Sequence, residues 1–242
     1  MKKLFIQDQY RESFAPLFQD IDAIFEREGE VIYQQRNTIK VLEWGGALIN
    51  IKRFAQPNFI NRYVYRFLRT PKCIRATKYA LQLRQLDINT PEPIGYLLHY
   101  DRVSVRESYL VTFQSPLTRT FYEFDTGGVV GRERIIRALA YFAADMHAKG
   151  VMHLDFSPGN ILFDETPEGK VSFTLVDINR MKFGTFSLRE CCRSFQRLWG
   201  GKDFLRVLAN AYAEARSANP TEVYQMILHY HSRFWKGRNS WY

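Results

Sequence analysis

The sequence predicts an α+β protein whose first half is built on an antiparallel sheet and whose second half is mostly helical. Three observations predict it. Strand-forming runs follow one another between residues 31 and 54 around a Gly-Gly pair. Beyond about residue 130 the apolar residues recur at helical spacing. Strands first and helices afterwards is the order of an α+β chain rather than of alternating βαβ units.

Taken in order, Phe14, Leu17, Phe18, Ile21, Ile24 and Phe25 predict an amphipathic helix over 12–26. Residues 27–30 are a polar break. Strands follow over 31–33, 38–44 and 47–54, with Gly45-Gly46 as a hairpin signal and a polar turn at 34–37. A helix is expected over 58–69, with Arg62, Arg66 and Arg69 on one face and Phe59, Tyr63 and Phe67 beside them. A second helix over 72–86 is stopped by Asp87-Ile88-Asn89-Thr90-Pro91. Strands are expected over 94–99 and 108–112, and 117–124 leads into a break at Gly127-Gly128. Ile135, Ile136, Leu139, Ala140, Phe142, Ala143 and Met146 mark the apolar face of a helix over 132–149 that Gly150 ends. Short strands over 161–163 and 172–176 flank a turn, and from about 188 the chain is mostly helical. A join near 114–117 divides one domain into an N-terminal lobe, 1–114, and a C-terminal lobe, 115–242.

Of the 242 residues 46% are hydrophobic and 24% charged, which excludes a disordered or collagen-like chain. Cys73, Cys191 and Cys192 make neither a disulfide framework nor a CxxC zinc pattern, so a reducing, cytoplasmic compartment is expected. The start, MKKLFIQDQYRE, has too short an apolar run for a signal-peptide core, and no run approaches a membrane span. The net charge of +9 points to an anionic partner: nucleic acid, phosphorylated lipid or a membrane surface. No helix-turn-helix or RNP pattern supports nucleic acid, and none is expected as a partner.

The chemistry is concentrated in HLDFSPGNILF, residues 153–163, and LVDINR, residues 175–180. An acid five residues before an amide on one tight loop, Asp155 and Asn160, presents a base and a metal ligand to the same point. A second carboxylate at the end of a nearby strand, Asp177, completes a site for a divalent cation. Phosphoryl transfer needs these parts because it is governed by alignment and charge neutralisation.

This loop resembles the catalytic loop of the protein-kinase superfamily, with Asp177 in the place of the DFG aspartate. With RNTIKV (36–41), INIKRF (49–54), TPEPIGY (90–96), HAKGVMHLDFSPGNIL (147–162) and DINRMKFG (177–184), the chain most resembles the bacterial lipopolysaccharide kinase (Kdo/heptose kinase) family, from about residue 28 to 200. The resemblance implies a two-lobed, protein-kinase-like fold and an ATP- and Mg²⁺-dependent kinase. The acceptor it implies is a sugar hydroxyl of an anionic glycolipid, a lipopolysaccharide precursor, at the cytoplasmic face of the inner membrane. It gives Asp155 the acceptor proton, and Asn160 and Asp177 the Mg²⁺ on the ATP phosphates. Lys52 contacts the α- and β-phosphates, the turn with Arg36 and Asn37 covers the nucleotide, and His153 braces the loop. Lys40 is the rival lysine, but it sits a strand too early.

Three departures from the superfamily pattern stand out. The turn over 34–40 has no glycine, Leu154 stands where many protein kinases have arginine, and there is no Asp or Glu from Trp44 to Leu86. Lys78 occupies the position of the glutamate that pairs with the strand lysine. The same stretch holds nine Lys and Arg, among them the Arg62, Arg66 and Arg69 face, which suits a phospholipid or lipid A surface as well as a solvated helix. The tail HSRFWKGRNSWY reads either as an interfacial anchor or as a docked helix end. Two rival functions stay open: a kinase of protein or small-molecule hydroxyls, and a pseudokinase that binds lipid or protein without catalysis.

Overall fold

A computed structural model describes residues 1–55, 70–102, 105–125 and 128–237. The helix expected over 58–69, with Arg62, Arg66 and Arg69, lies outside the described residues. The chain forms two compact units, Met1–Pro116 and Leu117–Tyr242.

In the first unit, Gly45 and Gly46 both have positive φ, 60° and 78°. A two-residue turn of this kind matches the twist of paired strands and suits residues without a side chain. It joins β3 (Thr38–Trp44) to β4 (Ala47–Phe54) in unbroken register, with Ile39 opposite Lys52. β1 (Lys2–Ile6), β2 (Glu30–Gln34), β5 (Pro93–Tyr100) and β6 (Val105–Phe113) complete a six-stranded antiparallel sheet of order β1-β5-β6-β4-β3-β2. β1 was not foreseen in the sequence; its partner β5 lies far along the chain.

The single helix expected over 12–26 is two helices, α1 (Arg11–Gln19) and α2 (Ile21–Arg27), interrupted at Asp20. A one-residue break keeps the apolar stripe in phase, so periodicity reads straight through it. All six predicted apolar residues are buried in one cluster with Ile49, Ile51, Leu97 and Val111 of the sheet. α3 (Lys72–Gln85) covers the other face, where Cys73 packs with Phe54, Tyr96 and Leu98. β5 is therefore buried on both sides, which is why its sequence is almost continuously apolar.

In the second unit, α4 (Glu133–Ala148) packs against α6 (Lys202–Ala215), and α6 against α7 (Pro220–Trp235). α5 (Leu188–Ser194) opens with a capping box, in which the Ser187 hydroxyl accepts from the Glu190 N–H and the Glu190 carboxylate accepts from the Ser187 N–H. β9 (Ile161–Glu165) and β10 (Val171–Leu175) form the hairpin expected near 161–176, extended by the two-residue β7 (Arg119–Thr120). Two three-residue strands, β8 (Val151–His153) and β11 (Met181–Phe183), pair with each other. Of the tail, residues 231–235 are the docked end of α7. His231 Nε2 bonds to the Leu198 carbonyl at 2.9 Å and Trp235 meets Trp199 edge-on. Among the described residues no helix is long and apolar enough to cross a membrane.

Candidate active site

The two small ladders of the second unit converge on one loop. β8 ends at His153, opposite Met181 of β11. β9 and β10 run in register to the pair Ile161–Leu175, and the Val176 N–H continues the ladder to the Asn160 carbonyl at 3.0 Å. Asp177 thus follows directly on the residue bonded to Asn160.

A closed circuit of four hydrogen bonds ties these positions together. The Asp155 N–H donates to His153 Nδ1 at 3.0 Å, which places the ring proton on Nε2; Nε2 donates to the Val176 carbonyl at 3.2 Å. Asn160 Nδ2 donates to the Asp155 carbonyl at 2.9 Å, and the Val176 N–H closes the ring on Asn160. His153 is fully buried, and burial lowers its pKa below the usual histidine value. It is a neutral brace with both nitrogens engaged, as expected. Asp155, Asn160 and Asp177 all stand on this one frame.

The circuit uses only some of the polar atoms of these residues. Asp155 uses its backbone N–H and carbonyl for the circuit, so its carboxylate is free of it. Asn160 commits Nδ2 and presents Oδ1. Asp177 is exposed, with φ 49°, a left-handed conformation that aspartate tolerates better than most residues. Its Oδ1 accepts from Asn179 Nδ2 at 2.8 Å. The loop is held close to its support: a Cβ on Gly159 would lie 2.9 Å from the Tyr122 ring, so any side chain there would have to push that ring aside. Phe156, buried behind the loop, packs edge-on against Phe195.

The fit to Mg²⁺ rests on the donor chemistry. One amide oxygen and one carboxylate suit an ion that keeps several waters and shares the phosphates of a nucleotide. Among the described residues there is no group of three or more His, Cys, Asp or Glu that would make a self-sufficient protein cage.

Two residues at the site were not assigned from the sequence. Arg197 Nη1 lies 3.0 Å from Asp155 Oδ1, and Arg180 Nη1 lies 3.5 Å from Asp155 Oδ2. Arg180 falls inside the DINRMKFG match and could have been singled out there. Arg197 comes from a 3-10 turn after α5, where no motif marks it.

The remaining sequence candidates lie in the first unit. Lys52 is on β4, between Ile39 of β3 and Leu110 of β6, with Nζ 5.4 Å from the centre of the Phe54 ring. Asn37 closes the turn between β2 and β3: its carbonyl accepts from the Gln35 N–H, and its Oδ1 from the Ala55 N–H at 3.2 Å. Arg36 is exposed on that turn, and Lys78 is exposed on α3.

WaaP, solved in complex with acyl carrier protein, shares this fold, with a TM-score of 0.66 over 98% of this chain and 100% of that one at 14% identity. A MAP kinase from Leishmania major gives a TM-score of 0.42 at 15% identity, over 95% of this chain and 74% of that one. Sequence comparison with curated proteins finds no match. The likeness to WaaP shows the kinase-like α+β fold expected from the sequence. The family model for the lipopolysaccharide kinase (Kdo/WaaP) family matches residues 23–218, and the chain belongs to that family.

Proposed function

We propose that the protein transfers the γ-phosphoryl group of ATP to a hydroxyl of Kdo or heptose in the lipopolysaccharide inner core. Membership of the family makes it a phosphotransferase acting on lipopolysaccharide core. The hydrogen-bonded circuit through His153, Asp155, Asn160 and Val176 is the observation that supports phosphoryl transfer as its chemistry. It ties Asp155, Asn160 and the residue before Asp177 to one frame, and alignment of such groups is what phosphoryl transfer depends on. Asp155 takes the proton of the acceptor hydroxyl as its oxygen bonds to the γ-phosphorus; the bond from that phosphorus to the β–γ bridging oxygen breaks, and ADP leaves with the electron pair. Asn160 Oδ1 and the Asp177 carboxylate would hold Mg²⁺, which neutralises charge on the phosphates. Lys52 contacts the α- and β-phosphates, and the turn with Arg36 and Asn37 covers the nucleotide. The net charge of +9 favours work at an anionic surface, the cytoplasmic face of the inner membrane.

The rival reading, a non-catalytic kinase-like binder, draws on the absence of Asp and Glu from Trp44 to Leu86. ATP turnover on purified protein, with and without a Kdo- and heptose-bearing lipid A acceptor, separates the two. Turnover stimulated by the glycolipid, with ³²P recovered on the core sugar, is expected. ATP binding with no transfer to this acceptor would favour the binder.

A further inference from the structure

The carboxylate of Asp155 meets a guanidinium at each oxygen, Arg197 at Oδ1 and Arg180 at Oδ2. The two arginines are held differently. Arg180 is fixed through its backbone, whose carbonyl accepts from the Leu154 N–H at 2.8 Å, while its side chain is 57% exposed. Arg197 is 34% exposed and lies over the Phe234 ring at 5.0 Å, and its Nε is buried with no hydrogen-bond partner. A guanidinium has five N–H donors in a planar fork matched to carboxylate and phosphate, and Arg197 spends one nitrogen on Asp155.

We infer that Arg180 and Arg197 recognise an anionic group adjacent to the reacting hydroxyl of the acceptor, and that this recognition frees Asp155 to act as base. The inference rests on the kinase reading above and names its acceptor class: a hydroxyl neighboured by a carboxylate. In the free protein each oxygen that could receive the hydroxyl proton already has one guanidinium contact. An incoming anion offers them a second partner of the same geometry, so they shift from Asp155 to the acceptor without losing charge compensation. A neutral acceptor offers no such exchange and must compete with two charge-assisted contacts. Charge selectivity therefore arises at the base itself. The arginine series continues away from it. Arg189 Nε donates to the Tyr230 hydroxyl at 2.7 Å, and Arg193 lies over the same ring at 6.0 Å. With Arg197 they are spaced four residues apart, and α7 supplies Tyr230 and Phe234, one turn apart, beneath them. Such a row is suited to an acceptor with more than one negative group.

The test compares a Kdo- and heptose-bearing lipid A acceptor with the same acceptor after methyl esterification of its carboxylates. Wild type is expected to prefer the free acid by about 10-fold or more in kcat/KM, the worth of one charge-assisted contact. In Arg197→Gln and Arg180→Gln the preference should shrink toward parity, through the KM of the acceptor and not that of ATP. Arg197→Lys keeps the charge but loses the fork and should retain part of the preference. Thermal unfolding of each variant checks that the fold persists. Equal transfer to both acceptors by wild type would overturn this inference alone, as would variants that slow both acceptors by one factor. In that last case the arginines merely hold Asp155. Transfer to neither acceptor by wild type would overturn the kinase reading and this inference with it.

Discussion

Asp155 divides its contacts by atom. Its N–H and carbonyl belong to the circuit with His153 and Asn160, and its carboxylate meets Arg180 and Arg197. Asp155→Asn keeps every backbone group and nearly the same volume, so fold and ATP affinity should persist. Turnover should fall by about 10²-fold or more, as loss of a positioned base requires. Calorimetric ATP binding beside single-turnover transfer checks this, and near-normal transfer would remove Asp155 from the mechanism. That the residues of this loop belong together was legible because the partners lie within one stretch, 153–180. Arg197 was not: it arrives from a turn after α5 by tertiary packing, and a lone arginine in a helical segment has no spacing to read. Asn37 shows the opposite case, since the turn itself was legible. That its side chain would be engaged by the Ala55 N–H could not be seen from residue type.

At the scale of elements, long periodic segments were readable and short ones were not. α3, α4 and the β3–β4 hairpin follow from apolar spacing and the Gly-Gly turn. β8 and β11 have three residues each, too few to show alternation, and they exist because they pair with each other. β1 needed β5, from the other end of the first unit, to become a strand. α3 poses the sharpest element-level question, because Lys78 stands where the superfamily resemblance places a glutamate. Its buried side is Cys73, Ala76, Thr77, Ala80 and Leu83, and Lys78 is exposed. Lys78→Glu should therefore change stability by no more than about 0.5 kcal/mol and leave ATP affinity unmoved. Denaturant unfolding and calorimetry measure both. A tenfold change in ATP affinity in either direction would place position 78 at the nucleotide.

For the whole molecule the net charge was legible and the state of its histidines was not, because burial decides it. His147, His153 and His231 are all buried in the second unit, and burial lowers the pKa of each. His147 is pushed down to about 3, with the charge of Arg216 adding to burial. It lies between the Tyr212 hydroxyl, 2.8 Å from Nδ1, and Ser194 Oγ, 3.4 Å from Nε2. The unfolded chain binds a proton at such a residue near pH 6.5, whereas the folded protein does not until far lower pH. Stability from a neutral buried histidine is thus complete above about pH 6.5 and declines as the pH falls toward the folded-state pKa. For His147 the loss between pH 7 and pH 5 should be about 2 kcal/mol, with the other two adding to it. The net charge of +9 works in the same direction, since each proton taken up increases self-repulsion. The carboxylates whose pKa is lowered, Glu168, Glu190 and Glu214, titrate below this window, so pH 7 to 5 isolates the histidines. His147→Gln can keep hydrogen bonds to Tyr212 and Ser194 without titrating, and should flatten the pH dependence by about one proton's worth. Denaturant unfolding at pH 7 and pH 5, on wild type and variant, measures it. Equal wild-type stability at the two values would mean that these histidines gain protons in the folded state, and that the core around His147 admits a charge its packing should exclude.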